Sequence, residues 1–184
     1  MRPQIAVIGD SEVKMDSLKY ILAKDLGKAL VDHGYRIVSG GMGGVMQAVF
    51  EGARNSEHVT GSDTIAILPS FDPEAGNTLA DIVIPTGLDL YRNGIVANSD
   101  AVIAIGGGSG TLSEMAHAWA LKRLVIAYDN VEGWSRKLAG TKIDERTRYP
   151  DTEDLVFPVQ DSVQVIELLK SKLSHFDRRH ERIK

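Results

Sequence analysis

Short apolar runs alternate along this chain with longer stretches in which apolar residues return every three or four positions. The runs fall at residues 4–8, 36–39, 64–69, 81–85, 100–105, 124–128 and 155–157. Several are continuously apolar rather than alternating, the pattern of strands buried on both faces. Between them, Leu18, Ile21, Leu22, Leu26, Ala29 and Leu30 mark one helical face within residues 11–33, which Gly34 would end. Val45, Met46, Val49, Phe50 and Ala53 mark a second face, and Leu112, Met115, Ala116, Trp119 and Ala120 a third. Val163, Val165, Ile166, Leu169 and Leu173 mark a fourth, over residues 162–174. Residues 69–79 read as a mobile loop able to cover a ligand, and residues 130–154 as an irregular connection with a short helix near 134–138. Strands and helices taken in turn build a mainly parallel sheet with helices on both faces. The expected fold class is therefore α/β, doubly wound and Rossmann-like, as one domain over residues 1–184 with a charged tail from residue 170.

Two strand-to-helix junctions are nearly bare of side chains. Ile105 leads into Gly106, Gly107, Gly108, Ser109, Gly110 and Thr111, and Ser39 leads into Gly40, Gly41, Met42, Gly43 and Gly44. Glycine lets the main chain approach a ligand closely, while first-turn N–H groups and the helix dipole favour an anion. The first loop is read as a phosphate cradle. The second is either another anion nest or a tight turn. In a doubly wound sheet such loops lie at the carboxyl ends of the strands, near the point where strand order reverses and ligands bind. The first strand ends there too, at Gly9, Asp10 and Ser11, which either touch the ligand or cap the first helix. Two familiar phosphate loops are excluded. The ending Gly110-Thr111-Leu112 lacks the P-loop lysine, and the first strand runs into Gly9-Asp10-Ser11-Glu12 instead of a dinucleotide G-x-G-x-x-G.

The 184 residues are 43% hydrophobic and 25% charged, ordinary for a soluble globular protein. No apolar run approaches the ~20 residues of a membrane span. The absence of cysteine removes disulfides, thiolate metal sites and thiol catalysis. A formal net charge of −4 argues against a nucleic-acid surface. Lys170, Lys172, Arg178, Arg179, Arg182 and Lys184 in the tail read as a solvated or frayed helix end. Met1-Arg2-Pro3-Gln4, followed at once by a strand, lacks the apolar segment of a secretory signal, so a cytoplasmic location is expected.

The run Gly107-Gly108-Ser109-Gly110-Thr111-Leu112-Ser113-Glu114 resembles the G-G-x-G-T-x-x-E signature of the LOG superfamily, whose members are often labelled lysine decarboxylases. The runs Ser39-Gly40-Gly41-Met42-Gly43-Gly44-Val45-Met46, Ile84-Pro85-Thr86-Gly87 and Arg92-Asn93, and residues 99–106, are similar to the branch related to molybdenum cofactor carrier proteins. The resemblance implies a Rossmann-like fold and a homodimer or higher assembly. It also implies a small phosphorylated ligand, either a nucleotide or the molybdenum cofactor. In the hydrolytic branch, which releases a base from a nucleoside 5′-monophosphate without a cofactor, an arginine upstream of the motif and the motif glutamate form the catalytic pair. Arg92 and Glu114 stand at those places here, with Asn93 beside the arginine. Decarboxylation is disfavoured, because it usually needs an electron sink such as pyridoxal phosphate on a Schiff-base lysine, and neither glycine loop contains a lysine.

Each candidate also has a plainer reading. Thr111-Leu112-Ser113-Glu114 is a capping box, in which Glu114 would reach back to the Thr111 N–H. Arg92 either clamps a phosphate or pairs with a surface carboxylate. Glu114 and His117 have a metal-ligand spacing, but no second such pair occurs, so no metal site is assigned. The functional expectation is binding of a nucleotide or phosphorylated cofactor in the manner of a carrier. The alternative is a nucleoside 5′-monophosphate phosphoribohydrolase.

Overall fold

The computed structural model describes residues 1–176; the tail's Arg178, Arg179, Arg182 and Lys184 lie outside the described residues. Strands β1 (Gln4–Gly9), β2 (Arg36–Ser39), β3 (Thr64–Leu68), β4 (Ile82–Pro85), β5 (Ala101–Ile105), β6 (Leu124–Tyr128) and β7 (Phe157–Val159) form one sheet. Its order is β4-β3-β2-β1-β5-β6-β7, and every neighbouring pair is parallel. This is the expected Rossmann-like α/β fold. The order reverses between β1 and β5, where Gly9 lies opposite Ile105. That register brings the ends of both strands, and the loops that follow them, to one place.

Side-chain alternation along each strand divides the core into two layers. Ile5, Val7, Ile37, Ile103 and Ile126 face α1 (Leu18–Asp32), α2 (Val45–Arg54) and α6 (Ser162–Lys172). Ala6, Ile8, Val38, Val102 and Val125 face α3 (Asn93–Ala97) and α4 (Ser109–Ala120). Leu138 and Ala139, at the end of α5 (Trp134–Leu138), pack on that second layer. Ala101–Ile105 is fully buried, so the strand carrying the main glycine loop is firmly anchored in the sheet.

Four expectations are corrected. Helix α1 starts at Leu18, where the Ser17 hydroxyl accepts the Tyr20 N–H, so residues 11–17 are a turn and neither Asp10 nor Ser11 caps it. Helix α4 starts at Ser109 with Gly108 as its N-cap, so Ser109, Gly110 and Thr111 are already helical. The loop over residues 69–79 packs on the second glycine loop: Asn77 donates its backbone N–H to the Gly41 carbonyl (2.8 Å) and its Nδ2 to that of Met42 (3.3 Å). The tail is not a frayed end as far as Phe176. That ring is buried against Tyr149 and Phe157, with centroids 4.7 and 6.1 Å away, because an apolar ring at the close of the last turn gains more from burial than the lysines lose. Among the described residues no helix is long and apolar enough to cross a membrane.

Candidate functional site

A cavity of about 340 Å³ opens at the carboxyl edge of the sheet, at the strand-order reversal. Ile8, Gly9, Asp10 and Ser11 line it from β1, and Ser39, Gly40, Met42 and Met46 from β2 and α2. Leu90, Arg92 and Asn93 line it from the turn into α3, and Gly108, Ser109, Gly110, Thr111 and Glu114 from the start of α4.

The glycine loop after β5 divides into two halves with different roles. Gly106 and Gly107 have φ of 67° and 93°, a conformation that glycine adopts without strain. Their polar groups are used up inside the protein. The Gly106 N–H donates to the Ser135 hydroxyl (2.8 Å), which donates in turn to the Tyr128 carbonyl (2.7 Å). The N–H groups of Trp134 and Ser135 donate to the Gly107 and Gly106 carbonyls, both at 3.0 Å. The Gly107 N–H donates to Asp10 Oδ2 (2.9 Å), which also accepts Lys19 Nζ at 2.6 Å. Gly106 and Gly107 therefore do not offer donors to a ligand as expected, and they do not line the cavity. They bend the chain so that the second half can.

In that second half, Gly108 is the N-cap and Ser109, Gly110 and Thr111 form the first turn. Their N–H groups have no partner within the helix, and none donates to another part of the protein among the described residues. Four main-chain donors and the positive end of a 12-residue helix thus meet the cavity.

Arg92 and Glu114 share the same space. Arg92 Nη1 donates to Glu114 Oε1 at 2.9 Å, and the two side chains are only 11% and 9% exposed. Burial pushes the Glu114 carboxyl up to about 7, and the pull of the Arg92 guanidinium only partly opposes it. The capping box is consequently not formed. Thr111 lies inside the helix, and the better partner for a buried carboxylate is a guanidinium. His117 turns its Nδ1 to the Ser113 carbonyl (2.8 Å), so it does not converge with Glu114.

The second glycine loop reaches the cavity through Gly40 and Met42. A Cβ on Gly40 would stand 2.5 Å from Arg92 Nη2 and 2.8 Å from Nη1, so this glycine makes room for the guanidinium. Gly41 faces Ala66 and Leu68 of β3 and stays out of the cavity, whereas Met42 lines it. Asn93 is buried and directs Nδ2 toward Ser113 Oγ at 3.5 Å, a marginal hydrogen bond. Gly9, Asp10 and Ser11 are brought to the cavity as read from their position after β1. Sequence reasoning passed over Met46, which had been read only as part of a helical face. Leu90, Lys19 and Ser135 carry no local signal, because each is recruited by tertiary packing.

The chain belongs to the SLOG cluster4 family, which it matches over residues 2–155, and so to the LOG superfamily. It is 40% identical over 116 residues to an uncharacterized protein of Archaeoglobus fulgidus, covering 62% of this chain and 72% of that one. It is 30% identical over 173 residues to the probable cytokinin riboside 5′-monophosphate phosphoribohydrolase LOGL3 of Oryza sativa subsp. japonica, covering 85% of this chain and 78% of that one. Among solved structures, the molybdenum cofactor binding protein of the phototrophic bacterium Rippkaea orientalis is 33% identical with a TM-score of 0.76. That likeness covers 93% of this chain and 97% of that one.

Proposed function

We propose that this chain binds a small ligand bearing a phosphate group, a nucleotide or the molybdenum cofactor, at the carboxyl edge of its sheet. One observation carries the reading: Gly108, Ser109, Gly110 and Thr111, whose N–H groups are uncommitted, line the same cavity as the Arg92–Glu114 pair. The amides cradle the phosphate oxygens. Arg92 keeps guanidinium N–H groups beyond the one given to Glu114, and these reach toward the same anion. Met42, Met46 and Leu90 supply adaptable apolar surface for the ring system of the ligand. The cavity lies at the lower end of the ~300–1,000 Å³ that small-molecule sites span. The molybdenum cofactor binding relative supports a carrier of this kind. Native mass spectrometry of the purified protein tests it, with a retained phosphorylated species as the expected result. A protein that emerges empty and shows no heat on titration with AMP argues against it.

A second reading is hydrolysis of the N-glycosidic bond of a nucleoside 5′-monophosphate, favoured by the state of Glu114. Water adds to the anomeric carbon as the carbon–nitrogen bond breaks; the base leaves with the bonding pair and takes up a proton, and the sugar phosphate remains. Glu114, when ionised, stabilises the positive charge that develops on the sugar. With its carboxyl near 7 it also accepts a proton from the attacking water at neutral pH. Arg92 holds the carboxylate in place. The rice relative supports this reading by its named activity. Incubation with AMP separates the two: free adenine that disappears in Glu114→Gln means turnover, and bound AMP without adenine means a carrier.

A further inference from the structure

The turn after β1 touches both glycine loops through one residue. The Asp10 carbonyl accepts the Val45 N–H at 3.0 Å, at the start of α2, and Asp10 Oδ2 accepts the Gly107 N–H at 2.9 Å. Both contacts depend on bare main chain: a Cβ on Gly44 would stand 2.3 Å from the Asp10 carbonyl oxygen, and one on Gly106 2.4 Å from Oδ2. The same Oδ2 accepts Lys19 Nζ at 2.6 Å. Lys19 belongs to α1 and lies outside the lining of the cavity, along a separate cleft with Lys14, Val131 and Glu132.

We propose that Lys19 is a positioning residue for the ligand: acting through Asp10, it holds the two glycine loops at a fixed spacing, and so sets the cradle from Gly108 to Thr111 against the wall formed by Met42 and Met46. The inference rests on the phosphate-binding reading above. The Asp10 side chain is 27% exposed, so water competes for its carboxylate. The Lys19 ammonium decides that competition by fixing Oδ2 over the Gly107 N–H, and among the described residues it is the one cation paired with Asp10. Its stem lies against the loop as well, since a Cβ on Gly106 would stand 2.7 Å from Lys19 Cε. Without the ammonium the carboxylate turns to solvent and the Gly107 N–H loses its acceptor. The loop then spends part of its time in arrangements that do not present the cradle, and observed affinity falls with the fraction that do. Global stability changes little, because an ion pair this exposed contributes little to it. A loss of affinity without a matching loss of stability is therefore the signature of this brace.

Calorimetry with AMP, thermal unfolding and amide proton exchange on the full chain test this in Lys19→Met. The expected result is an affinity for AMP about fivefold lower and a Gly107 N–H that exchanges about fivefold faster or more, with a melting temperature within a few degrees of the unaltered protein. Lys19→Arg, which keeps the cation, should restore affinity to within about twofold. Lys14→Met removes a charge beside the same cleft that is not paired with Asp10, and should leave affinity unchanged, which separates the brace from simple attraction between Lys19 and the phosphate. In an Asp10→Asn background Lys19→Met should add less than about a twofold loss, since the carboxylate it holds is gone. Unaltered affinity in a folded Lys19→Met overturns the inference, and so does the full loss repeated in Asp10→Asn. If neither AMP nor inorganic phosphate binds the unaltered protein, the phosphate-binding reading fails by itself. The brace then stands or falls on Gly107 exchange in the ligand-free protein, where equal rates with and without the Lys19 ammonium overturn it.

Discussion

Arg92 occupies the space that a side chain on Gly40 would fill: a Cβ there would come within 2.5 Å of its Nη2 and 2.8 Å of its Nη1. The two residues are far apart in sequence and meet because β2 and the turn before α3 both end at the carboxyl edge of the sheet. Met46 Sδ closes the same space, at 2.8 Å from that Cβ.

Gly40→Ala should therefore move Arg92 rather than unfold the protein. The backbone at Gly40 is outside the positive-φ region, so alanine brings no conformational strain. The expected result is a loss of affinity for AMP of about tenfold, or about 1.4 kcal/mol, with a change in melting temperature of a few degrees. Calorimetric titration checks the first and thermal unfolding the second.

Glu114 should make stability depend on pH in an unusual direction for a carboxylate. Its carboxyl is raised from 4.5 to about 7 in the folded state, so the native protein holds a proton that the unfolded chain releases between those values. Its contribution is complete below 4.5 and fades as pH rises to about 7, at a slope of no more than about 1.4 kcal/mol per pH unit. In Glu114→Gln this fading is absent. Urea unfolding from pH 5 to pH 8 should show the unaltered protein losing stability relative to the variant, and parallel curves would show that the carboxyl titrates normally.

Ser135→Ala removes the hydroxyl that bridges the Gly106 N–H and the Tyr128 carbonyl in a fully buried position. A buried donor left without an acceptor costs about 1–3 kcal/mol. Chemical denaturation should register that loss, and because Ser135 stands behind the loop, affinity for AMP should fall as the loop loosens.

Gly107 and Gly108 are neighbours with opposite tolerance. A Cβ on Gly107, at φ 93°, would overlap the Thr111 side chain, whereas one on Gly108 meets nothing within 4 Å. Gly107→Ala should destabilise the fold by about 1–3 kcal/mol, and Gly108→Ala should leave its melting temperature nearly unchanged. Circular dichroism melting curves of the two variants decide it.

Much of this fold was legible because the strands are continuous apolar runs and two glycine-rich turns follow β2 and β5. The site was legible in part. Glu114, Arg92 and the segment from Gly108 to Thr111 meet as the motif suggested. The assignment of donors to Gly106 and Gly107 was not readable, since the partner of Gly106 is Ser135, 29 residues downstream, and that of Gly107 is Asp10, in the turn after β1. The capping box failed for a similar reason. The local pattern at Thr111 was sound, but burial beside a guanidinium outweighed a local hydrogen bond at the helix start. The loop over residues 69–79 looked mobile from its Gly, Pro and Asp content, and only the fold brings Asn77 to the Gly41 and Met42 carbonyls.

The central claim is that the main-chain donors of Gly108, Ser109, Gly110 and Thr111 hold the phosphate while those of Gly106 and Gly107 are occupied by the protein. Amide proton–nitrogen NMR spectra recorded through a titration with AMP test it directly. The resonances of Gly108 to Thr111 should move progressively and saturate, with those of Gly106 and Gly107 nearly still. Static resonances from Gly108 to Thr111 at saturating AMP, or larger movements at Gly106 and Gly107, would contradict it.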